Sequence, residues 1–174
     1  MIKRPGIRGL LPQLLEQYRL DPEGTHGVPH WGRVLENGRR LAVETRADAA
    51  VIEMFSVFHD ACRWSDGRDP GHGPRGAALA WQLRDQLGLD DGQLALLMSA
   101  CAFHTGGPAA DVSMTVLTCL DADRLDIPRV GIAIRPDLLY TAAGQNPETL
   151  TWAGERASRR VLPTVCAEEW GWRP

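Results

Sequence analysis

Apolar positions recur at helical spacing along most of the chain. Leu10, Leu11, Leu14 and Leu15 mark a first helix that fades before Asp21-Pro22. Pro29 suits the first turn of a second, which runs to about Thr45 through Val34, Leu35, Leu41 and Ala42. Asp48 is placed to cap a third, with Val51, Ile52, Phe55 and Phe58 on its apolar face and His59-Asp60 at its end. Residues 64 to 74 are dense in Gly, Pro and Asp and read as a loop. A fourth helix is expected from about Arg75 to Leu87, closed by Gly88. Asp90-Asp91 opens a fifth, carrying Leu94, Leu97, Met98 and Cys101 and stopping at His104-Thr105-Gly106-Gly107. A sixth is expected from about Asp111 to Leu125. Beyond Pro128 the pattern breaks up, leaving a short helix near Leu138 and another after Pro147. No strand alternation and no internal repeat or linker interrupts this order, so the fold expected is an all-α bundle in one domain spanning residues 1–174.

Composition agrees and removes several classes of function. The chain has 174 residues, and leucine and alanine far outnumber valine and isoleucine, a bias toward helices over strands. A formal net charge of -3 argues against a primary nucleic-acid binder or a binder of anionic membranes. No run reaches the length of a membrane span and no signal-peptide core is present, so a cytoplasmic location is expected. Cys62, Cys101, Cys119 and Cys166 fall singly, which fits neither a zinc ribbon nor a disulfide framework. Cys101 and Cys119 read as small core residues. Nearly all the basic residues are arginine, whose planar fork suits phosphate.

All five histidines lie in the first 104 residues. Together with certain aspartates they collect at helix ends: His30, His59-Asp60, His72, His104 and Asp121/Asp123. Histidine and aspartate are poor choices inside a helix unless something holds them. Helix ends are also where side chains from several helices can converge. Nitrogen and carboxylate donors at one point fit a divalent metal site. His26 reads as structural or exposed. Trp31 follows His30 and Trp64 opens the glycine-rich loop, so both are candidates for walling a pocket; Trp81 reads as core, and Trp170 and Trp172 as anchors for the tail.

The ordered strings PHWGRV (29–34), VFHDACR (57–63), GHGPRGA (71–77), FHTGG (103–107) and DADRLD (121–126) resemble the HD superfamily of metal-dependent phosphohydrolases. The likeness spans about residues 26–130 and leaves 131–174 as a C-terminal helical extension. It implies an HD-domain-like helical bundle binding one divalent ion through His30, His59, Asp60 and Asp123, with Asp121 as an alternative last ligand. Asp126, one turn on, suits a supporting role. Asp60 would also orient the attacking water. His72 and His104 are catalytic candidates, either in phosphate contact and proton transfer or as ligands to a second ion. Arg63 and Arg75 flank the glycine-rich loop and are the candidates for holding phosphate; Arg33 and Arg124 have similar proximity but could pair with carboxylates. Manganese, iron, cobalt, nickel, zinc and magnesium all suit such donors.

The function expected is hydrolysis of a nucleotide or another small phosphate ester. The rival expectations are a non-catalytic HD-like module that binds a metal or nucleotide for regulation, and a di-iron oxygenase of HD-like fold. The absence of a GYP string removes support for cyclic-dinucleotide hydrolysis.

Overall fold

The computed structural model describes residues 6–108 and 111–174. Its regular structure there is all helical: α1 (Ile7–Gln17), α2 (Val28–Thr45), α3 (Ala49–Phe58), α4 (His72–Gln82), α5 (Arg84–Leu87), α6 (Asp91–Phe103), α7 (Met114–Arg124), α8 (Ala142–Gln145), α9 (Pro147–Ser158) and α10 (Thr164–Glu168). Two short 3-10 turns, Ile127–Val130 and Pro136–Leu138, lie between α7 and α8. No helix among the described residues is long and apolar enough to cross a membrane.

Helix α2 packs on α3 and α7, α3 on α6, and α4 lies along α6. Between them Trp31, Leu35, Phe55, Phe58, Leu97 and Leu120 are fully buried in one continuous apolar core. Burying a side chain of this kind contributes roughly 1.5–3 kcal/mol, so this core, more than helix propensity, holds the helices together. Cys101 and Cys119 are buried within it, as their apolar settings predict.

Helix starts follow local chemistry. The Asp48 carboxylate accepts from the backbone N–H groups of Ala50 and Val51 at 2.8 and 3.1 Å. Asp90 and Gln93 form a reciprocal capping box on α6. Gly88 ends α5 in the left-handed conformation, at φ 62°. Three expected boundaries move. The one helix expected from Arg75 to Leu87 is broken at Leu83, so α4 ends at Gln82 and α5 is a separate single turn closed by Gly88. Helix α4 begins at His72 rather than at Arg75, because Pro74 falls in the first turn, where a missing N–H costs no helical hydrogen bond. Helix α7 begins at Met114 rather than at Asp111, whose φ of 59° is incompatible with a right-handed helix.

The C-terminal segment returns across α2. Arg40 and Arg156 both stack on Trp152, at 5.0 and 4.8 Å, and Arg39 forms a bidentate pair with Glu169. Trp170 is buried, consistent with an anchor for the tail. Trp81, expected in the core, is instead 52% exposed and covered by the Arg84 guanidinium, because α4 ends one residue later and its outer face meets solvent.

Loss of the Asp48 cap leaves two backbone donors without that partner. Asp48→Ala is expected to lower unfolding stability by about 1–2 kcal/mol, read as a lower urea midpoint with an unchanged slope.

Candidate metal centre

Five side chains converge where the ends of α3 and α6 meet the starts of α2 and α4. His30 lies in the first turn of α2, His59-Asp60 follow α3, His72 opens α4 and His104 follows α6. All five are buried. Two glycines of α4 allow this approach. A Cβ on Gly76 would lie 2.2 Å from the Phe58 carbonyl oxygen, and one on Gly73 would lie 2.4 Å from the Cys101 carbonyl oxygen. With any larger residue at either position, α4 would be pushed off the two helix ends that carry His59, Asp60 and His104.

The ring tautomers follow from partners that can only accept. His30 Nδ1 donates to Asp126 Oδ2 at 2.7 Å, and His59 Nδ1 to the Phe55 carbonyl at 3.1 Å. His104 Nδ1 donates to the Cys101 carbonyl at 2.7 Å, and His72 Nδ1 to the Asp69 carbonyl. In a neutral ring each Nε2 then carries a lone pair. Yet His30 Nε2 lies 3.1 Å from His59 Nε2, and His72 Nε2 lies 2.8 Å from His104 Nε2. Lone pairs at such distances repel unless a proton or a metal ion lies between them.

Asp60 stands between the two pairs. Its Oδ2 is 3.6 and 3.7 Å from the Nε2 atoms of His30 and His59. Its Oδ1 is 3.2 and 3.8 Å from those of His72 and His104. Asp123 Oδ1 joins the first pair, at 3.4 Å from His30 and 3.7 Å from His59. Donors held at about 2.0–2.2 Å from one ion must lie roughly 3–4 Å from one another. The groups His30/His59/Asp60 and Asp60/His72/His104 are therefore both able to hold a metal ion.

Burial lowers the His59 pKa to about 3 and also lowers that of His72, keeping both rings neutral as ligands require; it lowers that of His26, beside Asp66, as well. Burial pushes Asp60 and Asp123 up, but the histidines around them outweigh it and hold both carboxyls below the ordinary range. Behind the first pair, Asp126 ties His30 to Arg33, accepting from Arg33 Nε at 2.7 Å and Nη2 at 3.1 Å.

Above these donors opens a cavity of about 530 Å³, lined by Asp60, His72, His104 and Asp123 and by four arginines, Arg63, Arg68, Arg124 and Arg129. Arg63 is thus brought to the donors. Arg75 is not: it pairs with Asp69 at 2.5 Å, donates to the Cys62 carbonyl and stacks on Trp64 at 3.7 Å. Arg19 takes the other available cation–π contact with Trp64, and Trp31 is wholly buried, so neither tryptophan walls the cavity. Asp121, the alternative last ligand, points elsewhere. Its carboxylate accepts from Tyr140 N–H, Thr141 N–H and the Thr141 hydroxyl, at 2.7–2.9 Å. Among the polar residues lining the cavity, Arg68, Arg129 and Thr105 were not singled out by the sequence, and His26, read there as structural or exposed, lines it too. His26 is buried against Asp66, with Nδ1 2.8 Å from its carboxylate. It precedes α2, in the turn before the extended Gly27, so helical spacing from His30 gave no signal for it.

No family model matches the chain, and no curated protein matches it significantly. Among solved structures, it is similar to a crystal structure described as a predicted HD superfamily hydrolase from an uncultured Thermotogales bacterium. That likeness has a TM-score of 0.63 and 25% identity, and covers 95% of this chain and 91% of the other. The all-α architecture is thus HD-domain-like, as the resemblance in the motifs implied.

Neutral buried histidines make the metal-free protein sensitive to acid. The unfolded rings titrate near 6.5, whereas His59 in the folded chain titrates near 3. Between those values the unfolded chain binds more protons, so stability is full above about pH 6.5 and falls on acidification. The urea midpoint of chelator-treated protein should drop steadily from pH 7 to pH 5. A flat midpoint over that window would contradict neutral, buried rings.

Proposed function

We propose that this HD-like fold is a metal-dependent phosphohydrolase acting on a small phosphate ester, a nucleotide among them. The observation that carries the reading is the approach of the His30 and His59 Nε2 lone pairs to 3.1 Å, flanked by two carboxylate oxygens. A divalent ion satisfies that arrangement, with His30, His59, Asp60 and Asp123 as its ligands. Such an ion, when bound, polarises a phosphoryl oxygen and acidifies a water.

The chain's own residues supply the rest. Arg63 is held in place at the cavity by the Ser65 and Gly67 carbonyls. The four arginines that line the cavity surround it with positive charge, which raises the local concentration of anions. Their number exceeds what one phosphate oxygen needs and favours a doubly charged or larger anionic group. Asp60 Oδ1, turned toward His72 and His104, is placed to accept a hydrogen bond from the attacking water and hold it in line. His72 and His104 face the same space and can pass a proton to or from the reacting oxygens. Asp126 fixes the His30 tautomer and ring plane from behind. A cavity of about 530 Å³ has room for an ester of nucleotide size.

Metal analysis and hydrolysis of a phosphate-ester panel, with and without chelator, test this reading. His59→Ala and Asp60→Asn should lose the metal and at least about a hundredfold in activity. Binding of metal with no turnover of any ester would favour a non-catalytic module instead. Asp126→Asn should weaken metal affinity by about 10–100-fold, measured by competition with a chromogenic chelator.

A further inference from the structure

The two donor groups around Asp60 differ in what stands beside them. Asp60 Oδ1, His72 Nε2 and His104 Nε2 form a triangle with sides of 3.2, 3.8 and 2.8 Å, which by itself would suit a divalent ion. A cation already lies against that triangle. Arg63 Nη1 is 3.4 Å from Asp60 Oδ1, and 3.4 and 3.1 Å from the two ring nitrogens of His72. The similar distances to both nitrogens set the guanidinium against the imidazole ring.

Arg63 is pinned there. Its Nε donates to the Ser65 carbonyl and its Nη2 to the Gly67 carbonyl, each at 2.9 Å. Both acceptors are backbone groups of the loop that follows Asp60, so the planar fork has two fixed arms and presents the third to the donors. The guanidinium stays charged at any working pH. A second divalent ion in the triangle would sit within a few ångströms of it, and the repulsion would be strong in so buried a place.

Counter-charge is also short. Asp60 is the one carboxylate in the second group, and its other oxygen faces the first. The neighbouring carboxylates are engaged elsewhere: Asp69 with Arg75, Asp66 with His26, and Asp126 with His30 and Arg33. Two divalent ions and a guanidinium would face Asp60 and Asp123 alone. The first group meets no such obstacle, since Arg33, behind it, is bound to Asp126 and the Val161 carbonyl.

We propose that the Arg63 guanidinium takes the place of a second metal ion, so that the chain holds one divalent ion, at His30, His59, Asp60 and Asp123. Arg63 supplies the second positive charge over the phosphoryl group, and His72 and His104 remain free for hydrogen bonding and proton transfer. This inference rests on the metal-dependent reading above and fixes its stoichiometry.

Titration of metal-free, full-length protein with Mn2+ by calorimetry, alongside electron paramagnetic resonance, tests it in wild type, His72→Ala and Arg63→Met. Wild type and His72→Ala should each bind one ion with the spectrum of an isolated Mn2+. Arg63→Met should bind a second ion at least about tenfold more tightly than wild type does, with the spectrum of a coupled pair. Two ions in wild type with affinities within about tenfold, reduced to one in His72→Ala, would overturn the inference; so would a folded Arg63→Met that still binds one. Should Arg63→Met fail to fold, the comparison of wild type with His72→Ala decides by itself. Wild type that binds no Mn2+ would reject the metal-dependent reading, a result distinct from either stoichiometry.

Discussion

The Asp60 carboxylate is the constraint on which the rest of the site depends. Its two oxygens face two pairs of imidazole nitrogens, and each pair is held at a distance that neutral rings do not choose. An anion in that position is tolerated in a buried place only because donors and cations surround it. Every feature nearby serves that requirement. Backbone carbonyls at the ends of α3 and α6 fix two of the tautomers, Asp126 fixes a third, and Gly73 and Gly76 let α4 come close enough to deliver His72.

A second tier of buried polar groups links this centre to the C-terminal segment. Asp121 and Asp126 lie on either side of Asp123 and look in different directions. Asp126 turns inward to His30 and Arg33, while Asp121 turns outward to the backbone of Tyr140 and Thr141. A buried carboxylate with three good donors is satisfied without a metal. Asp121 and Asp123 point to different sides of α7, because successive helical positions turn about 100°, and Asp126, in the turn after that helix, faces a third way. The bonds of Asp121 to Tyr140 and Thr141 hold the start of residues 139–174, whose helices α8, α9 and α10 pack back on α2.

Much of the arrangement was legible beforehand. Helical spacing, the Asp48 and Asp90 caps and the Gly88 stop are local signals, and they set most of the helices. His30, His59, Asp60, His72, His104 and Asp123 stand out because polar residues at helix ends need a reason to be there. The C-terminal region gave little, since its short helices carry weak periodicity and owe their position to Asp121, to the stack of Arg40 and Arg156 on Trp152 and to the Arg39–Glu169 pair.

Arginine is where residue type and proximity were least informative. Arg63 and Arg75 flank the same loop, yet one faces the donors and the other is held by Asp69 and Trp64. The same limit applies to the tryptophans: Trp31 is buried and Trp81 exposed, although both lie in helices with apolar faces. By itself, then, the chain determined its helices and the set of residue types able to bind a metal, because periodicity, capping and donor chemistry are local properties. Which carboxylate turns inward, which arginine meets Asp60 and which ring nitrogens face one another were decided by tertiary packing. Those choices depend on the angle and closeness at which helices far apart in sequence cross.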